Sequence, residues 1–254
     1  MKSDGFKIWE GVYEEWSDAP ADDGVFDGDI WIQKITDRAK KAHQDYLSSG
    51  TISSATLSHD YVLPMVASMA CGENQLRILD FGGGLAASYF PVVAALPDSK
   101  KVEFHVVEGK RVCQQAEEMF QDESLLHFHD KLPKLPSPVH IVHSGSALQY
   151  IEDWKGLLAE LCGYNPRHLV LADVMSGDIE TFVTLQEFYG RKIRFRFLNI
   201  EELLNETKKH GFELIYKSNY AGKICDAIRS LDMAHFDKKF QLDFACQLVF
   251  SRDG

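Results

Sequence analysis

The sequence predicts an α/β fold: a mainly parallel sheet with helices on both faces. Three observations carry this. From residue 76 onward, short apolar runs alternate with stretches of helical period, the pattern of βαβ units. A glycine turn, Gly82-Gly83-Gly84, follows the first of these runs directly. The last two apolar runs, 212–216 and 244–251, have no helix of clear period between them, which suits an antiparallel edge.

The elements follow in order. Residues 76–81 predict a buried strand, 86–96 a helix stopped by Pro97, and 102–108 a second strand leading to a helix over 111–120. A short strand is expected at 125–129. Another over 139–143 precedes a helix near 154–162, and 168–174 follows as the fifth strand. Asn199 is a natural N-cap for a helix over 200–210, with Gly211 as its stop. Before the sheet, Ile30, Trp31, Ile35, Ala39, Ala42 and Tyr46 recur at helical spacing, and 61–70 reads as a second apolar helix. Residues 1–75 are therefore expected to form an N-terminal arm and helical cap, and 76–254 the main domain. Trp9, Tyr13 and Trp16 fall on one face of a helix at i, i+4, i+7 and serve either as an anchor for the arm or as a lid.

Composition narrows the function classes. The chain has 254 residues, 45% apolar and 26% charged, with a net charge of −11. That charge argues against a nucleic-acid partner, which selects for a basic face. The five cysteines are scattered without a C-x-x-C pair, so reduced thiols in a cytoplasmic protein are expected. The first residues lack an apolar signal core, and no apolar run approaches the ~20 residues that span a bilayer.

Ligands of open parallel sheets bind beyond the carboxyl ends of the strands. That rule selects Asp80, Glu108, Asp130, His143, Ser144, Gly145 and Asp173, each at or just after a predicted strand. The glycines allow the backbone to approach a ligand closely. His127 and His129 share one strand face, but no third ligand is visible and no metal is expected.

The run Asp80-Phe81-Gly82-Gly83-Gly84 resembles motif I of the class I methyltransferases that use S-adenosylmethionine (SAM). The match departs from the motif at Ala86, where a third glycine is common; alanine fits if φ there is negative. A closer likeness joins Trp9-Glu10-Gly11-Val12-Tyr13, Trp16, residues 78–89, Val106-Val107-Glu108 and residues 144–151. Together they resemble a bacterial family of methyltransferases often encoded among surface-polysaccharide genes. The resemblance implies a sheet of order 3-2-1-4-5-7-6 and SAM as cofactor. It also implies a cofactor site of Asp80, Gly82, Gly83, Gly84, Glu108, Asp130, Ser144, Gly145 and Gln149, with Glu108 on the ribose hydroxyls. Tyr13, Tyr150 and Gln186 are expected against the acceptor, with Thr184 and Tyr189 near them. The acceptor is a small polar molecule, such as a sugar or another glycan building block. An alcohol acceptor needs a base, and His143 and His59 are the candidates. The cluster Arg191, Lys192, Arg194 and Arg196 is either a phosphate or carboxylate contact or a solvated strand edge. Two rivals stay open. Gly82-x-Gly84-x-x-Ala87 also satisfies a dinucleotide fingerprint, pointing to an NAD-dependent oxidoreductase. The other rival is a SAM-binding protein without catalysis.

Overall fold

The computed structural model describes residues 7–53, 61–70, 75–97, 101–136, 138–221, 223–224, 227–228 and 231–252; His59 lies outside them. The chain order is β1 (Trp9–Tyr13), α1 (Asp29–Ser49), α2 (Val62–Ala70), β2 (Gln75–Phe81), α3 (Tyr89–Ala95), β3 (Lys101–Val107), α4 (Lys110–Met119), β4 (Leu126–His129), β5 (Ile141–Gly145), α5 (Trp154–Gly163) and β6 (His168–Val174). Then come β7 (Ser176–Gly177), β8 (Phe182–Phe188), β9 (Arg191–Asn199), α6 (Ile200–Lys209), β10 (Glu213–Tyr220), the small ribbon β11 (Lys223–Ile224) and β12 (Ala227–Ile228), and β13 (Ala245–Ser251).

Seven strands form the main sheet in the order β4-β3-β2-β5-β6-β13-β10. Counted along the chain within this sheet, that is 3-2-1-4-5-7-6, and β13 is antiparallel to both its neighbours. The central strands are buried on both faces, which is why they read as unbroken apolar runs rather than as alternation. Ile78, Leu79, Ile141, Val142, Leu169 and Leu171 are all fully buried. One face packs against α1, α2, α3 and α4 through residues such as Ile35, Leu63, Phe90 and Ala116. The other packs against α5 and α6 through Leu158, Leu161 and Leu203. The predicted cap holds: Asn199 accepts the Glu202 N–H at 3.0 Å; Asp153 caps α5 in the same way, accepting that of Gly156 at 2.9 Å. No helix among the described residues is long and apolar enough to cross a membrane.

A second sheet, β1-β8-β9-β7, stands beside the first. Its centre is the hairpin β8–β9, turned at Tyr189 and Gly190, whose φ values of 52° and 84° match the twist of a two-residue hairpin. Strand period 2 sorts its residues. Phe182, Phe195, Phe197 and Ile193 go inward, whereas Val183, Leu185, Arg194 and Arg196 face the N-terminal arm.

This sheet corrects the reading of the arm. Trp9 to Tyr13 is not a helix but the strand β1, paired with β8, and Trp16 starts a short 3-10 turn. Gly11 at φ 79° breaks any helical course, and the extended chain places Trp9 in a buried aromatic cluster while Tyr13 turns outward. The basic cluster is likewise turned to the arm and its neighbours. Arg194 donates to the Ala19 carbonyl, Arg196 to those of Ile151 and Glu152, and Lys192 pairs with Glu10. The Arg196 guanidinium also lies over the Trp16 ring, 4.8 Å from its centroid. These groups fasten the arm to the outer face of the hairpin.

Candidate functional site

A cavity of about 650 Å³ opens at the carboxyl ends of β2, β3, β5 and β6, where the order reverses between β2 and β5. Its floor is the glycine turn. Gly82 and Gly84 have φ of 72° and 57°, conformations glycine adopts at no steric cost. A Cβ at Gly82 would meet that of Ala147, and one at Gly83 would collide with Asp80 Oδ2. Ala86 also departs from expectation. Its φ is 55°, left-handed rather than negative, so a fully buried alanine occupies a position that favours glycine.

Asp80 ends β2 beneath this turn and is fully buried. It shares a rung with His143 of β5, whose Nδ1–H donates to Asp80 Oδ1 at 2.6 Å. Asp80 Oδ2 is buried with no hydrogen-bond partner among the described residues. A buried carboxylate oxygen without a donor is costly, and Asp80 lines the cavity. Glu108 follows β3. Its Oε1 accepts the Gly84 N–H at 3.0 Å and its Oε2 that of Gly109 at 2.9 Å. Burial, with Asp80 and Asp27 adding their negative charge, pushes the Glu108 carboxyl above its ordinary range despite those two backbone donors.

The remaining predicted residues divide. Asp130, Gly145, Gln149, Tyr150 and Gln186 all line the cavity. Gln149 donates to the Asp173 carbonyl at 3.1 Å, and Tyr150 donates to Gln186 Oε1 at 2.9 Å. Ser144 does not line the cavity: it lies between His143 and Gly145 on a strand, so its side chain faces the other side of the sheet. Tyr13 is absent from the lining too, because it packs with Ala19, Val183 and Leu185 on the outer face of the second sheet. Thr184 is held inside that sheet, donating to the Glu10 and Gly11 carbonyls. His143 reaches the cavity wall; it is 2% exposed, and its Nδ1 is held against Asp80 Oδ1.

The structure adds a wall the sequence reading missed. Phe26 and Trp31 come from the arm and α1, and Phe188 and Phe195 from the hairpin. The Phe26 ring meets Trp31, Tyr150 and Phe188 edge-on, at centroid distances of 5.7, 5.1 and 5.5 Å. Period-2 alternation over residues 191–197 was the available signal for the hairpin. The cavity therefore has an acidic, glycine-floored half and an aromatic half.

No protein-family model matches the chain, and no curated protein matches it. Solved structures do. A SAM-dependent methyltransferase from Clostridium acetobutylicum superposes with a TM-score of 0.50 at 13% identity, covering 85% of this chain and 98% of that one. Magnesium protoporphyrin IX methyltransferase from Synechocystis, with bound S-adenosylhomocysteine (SAH), gives 0.51 at 13% identity over 91% and 100%. The methyltransferase in a complex with the Haloferax volcanii Trm112 activator gives 0.51 at 15% over 89% and 95%. At these identities the likeness is one of fold: the chain has the fold of SAM-dependent methyltransferases.

Proposed function

We propose that this protein binds SAM on the acidic half of the cavity and methylates a small acceptor held in the aromatic half. The observation that carries this reading is Asp80 Oδ2, buried without a donor among the described residues beneath the glycine turn. The methionine ammonium of SAM is the kind of donor it lacks. The reading assigns Glu108, one strand away, to the ribose hydroxyls and Asp130 to the adenine; both line the cavity. When bound, SAM supplies an activated methyl group. The chain's residues hold its carrier, align the acceptor and exclude water, which provides much of the acceleration in a direct displacement.

The charge of the cavity favours this over NAD. Asp27, Asp80, Glu108, Asp130 and Asp173 line it, alongside the guanidinium of Arg38. A pyrophosphate above Asp80 would be repelled, and α3 starts at Tyr89, five residues beyond Gly84, so its N-terminus does not follow the glycines directly. The same argument narrows the acceptor. The basic cluster faces the arm on the outer side, so we infer an acceptor whose charge, where it has any, is met by Arg38 rather than by a cluster of cations. It offers a ring or apolar face to Trp31, Tyr150 and Phe188. A sugar or other glycan building block, O-methylated, meets that description; the closer sequence likeness favours it. The expected result of calorimetric titration is one site for SAH or SAM and no heat from NAD. NAD binding with no response to either SAM species sinks the proposal.

Glu108 gives a second expectation. Glu108→Ala removes hydrogen bonds to a charged group, worth about 1.5–3 kcal/mol, and lowers SAH affinity roughly tenfold or more. Its raised carboxyl pKa fixes the sign of the pH dependence. The ionised form accepts from the ribose, so SAH affinity of the parent protein falls as pH drops through a value above the ordinary 4.5 of an exposed glutamate. For stability the sign is opposite: the contribution from protonated Glu108 is full below that ordinary value and is lost as pH rises through the folded one. Glu108→Gln removes both dependences. An affinity with the same acid limb in Glu108→Gln assigns it to another group.

A further inference from the structure

The sheet brings together a second group of side chains that the proposed reaction does not use. β3 and β4 are parallel and in register, pairing His105 with His127 and Val107 with His129. On β3, Glu103 lies two residues before His105 and so shares its face. On β4, His127 and His129 share that same face. The opposite face carries Phe104, Val106, Leu126 and Phe128 into the apolar core. The sequence showed only the His127-x-His129 pair. Strand pairing supplies the ligands it lacked.

The geometry is close. One ligand atom from each of Glu103, His105 and His127 lies within 4.8 Å of the others. The His105 and His127 rings stack with centroids 4.8 Å apart, and His105 Nδ1 is 3.0 Å from His129 Nε2. His105 Nε2 is 3.1 Å from Glu103 Oε1, while Glu103 Oε2 accepts from Arg77 and Gln75. The carboxylate is thus oriented by one oxygen and presents the other to the imidazoles. Ligands about 2.1 Å from a tetrahedral zinc stand roughly 3.4 Å apart, so a small rotation of the half-buried His127 closes the site. Two imidazoles and a carboxylate match the donor preference of zinc and its neighbours rather than of calcium or magnesium.

We propose that Glu103, His105 and His127, with His129 beside them, form a binding site for a divalent transition metal at the β3–β4 edge of the sheet. The site is outside the cavity but joined to it. His129 precedes Asp130 of the cavity lining, and the His129 carbonyl accepts the Glu108 N–H at 3.0 Å. A metal tying β3 to β4 therefore braces the strand ends that carry Glu108 and Asp130.

The test uses the full chain, free of any histidine tag and stripped with chelator. Zinc is titrated calorimetrically, and cobalt(II) is followed by its visible absorption. The expected result is one metal per chain, with tetrahedral cobalt bands and no thiolate charge-transfer band. His127→Ala should weaken zinc binding at least ~10-fold, the lower range for disturbing a metal's ligand environment. Zinc should raise the thermal midpoint of the parent protein and not that of the variant. His127→Gln keeps the side-chain volume and replaces alanine if circular dichroism shows that His127→Ala is unfolded. No stoichiometric zinc binding, binding retained in the folded His127 variant, or a cobalt–thiolate band each overturns the proposal. None of these readouts depends on SAM.

Discussion

Trp9→Ala is expected to lower stability by about 3–5 kcal/mol, the range for deleting a fully buried large aromatic side chain. Trp9 has no exposed surface, and its ring lies 4.6 Å from Phe195 and 5.0 Å from Phe197, centroid to centroid. Its indole N–H donates to the Leu231 carbonyl at 2.6 Å, and its own carbonyl is 3.0 Å from His235 Nε2. The substitution thus opens a cavity and leaves the Leu231 carbonyl without that donor. Urea unfolding monitored by circular dichroism reads the change. A movable aromatic lid would predict almost no loss, so a shift below ~0.5 kcal/mol, the usual scatter of surface changes, contradicts the buried-strand role. A functional consequence follows from Phe195. Its ring meets Trp9 on one side and Tyr150 on the other, at 5.1 Å. Loosening Trp9 therefore disturbs the aromatic half of the cavity while leaving the glycine floor in place.

What the sequence revealed and what it hid follow from physics. The main sheet was legible because its strands are buried on both faces and separated by helices of clear period. Asp80, the glycines and Glu108, which line one cavity, were legible because a tight turn at a strand end restricts residue type locally. The second sheet was not, although residues 191–197 alternate cleanly: four basic residues there drew attention as a charge cluster. Charge says nothing about which way a side chain points; strand pairing does, and it turned Arg194 onto the Ala19 carbonyl and Arg196 onto the Trp16 ring of the arm. β1 was hidden for a related reason. Trp9, Tyr13 and Trp16 satisfy helical spacing, but Gly11 at positive φ and a partner strand some 175 residues later decide the conformation. Ser144 shows the limit of reasoning from neighbours, since one residue along a strand reverses the face. The Glu103–His105–His127 group escaped because parallel register cannot be read from one strand alone.

Asp80 is where fold and proposed function meet, and its two variants separate them. Asp80→Ala leaves the buried His143 Nδ1–H without its carboxylate, and a buried donor left unsatisfied costs about 1–3 kcal/mol. Asp80→Asn keeps an oxygen for the His143 Nδ1–H and the same side-chain volume, so its cost should stay near the ~1 kcal/mol of a typical hydrogen bond. Toward SAH, both variants lose the charge. A hydrogen bond to a charged group is worth about 1.5–3 kcal/mol, so affinity should fall roughly 10- to 100-fold even in the well-folded Asp80→Asn. Denaturant unfolding and SAH calorimetry on the two proteins give four numbers. A stable Asp80→Asn with weakened SAH binding makes the carboxylate a ligand contact. A stable Asp80→Asn with unchanged SAH affinity reduces Asp80 to a strut for His143, and the donor for Asp80 Oδ2 must then come from somewhere other than the cofactor.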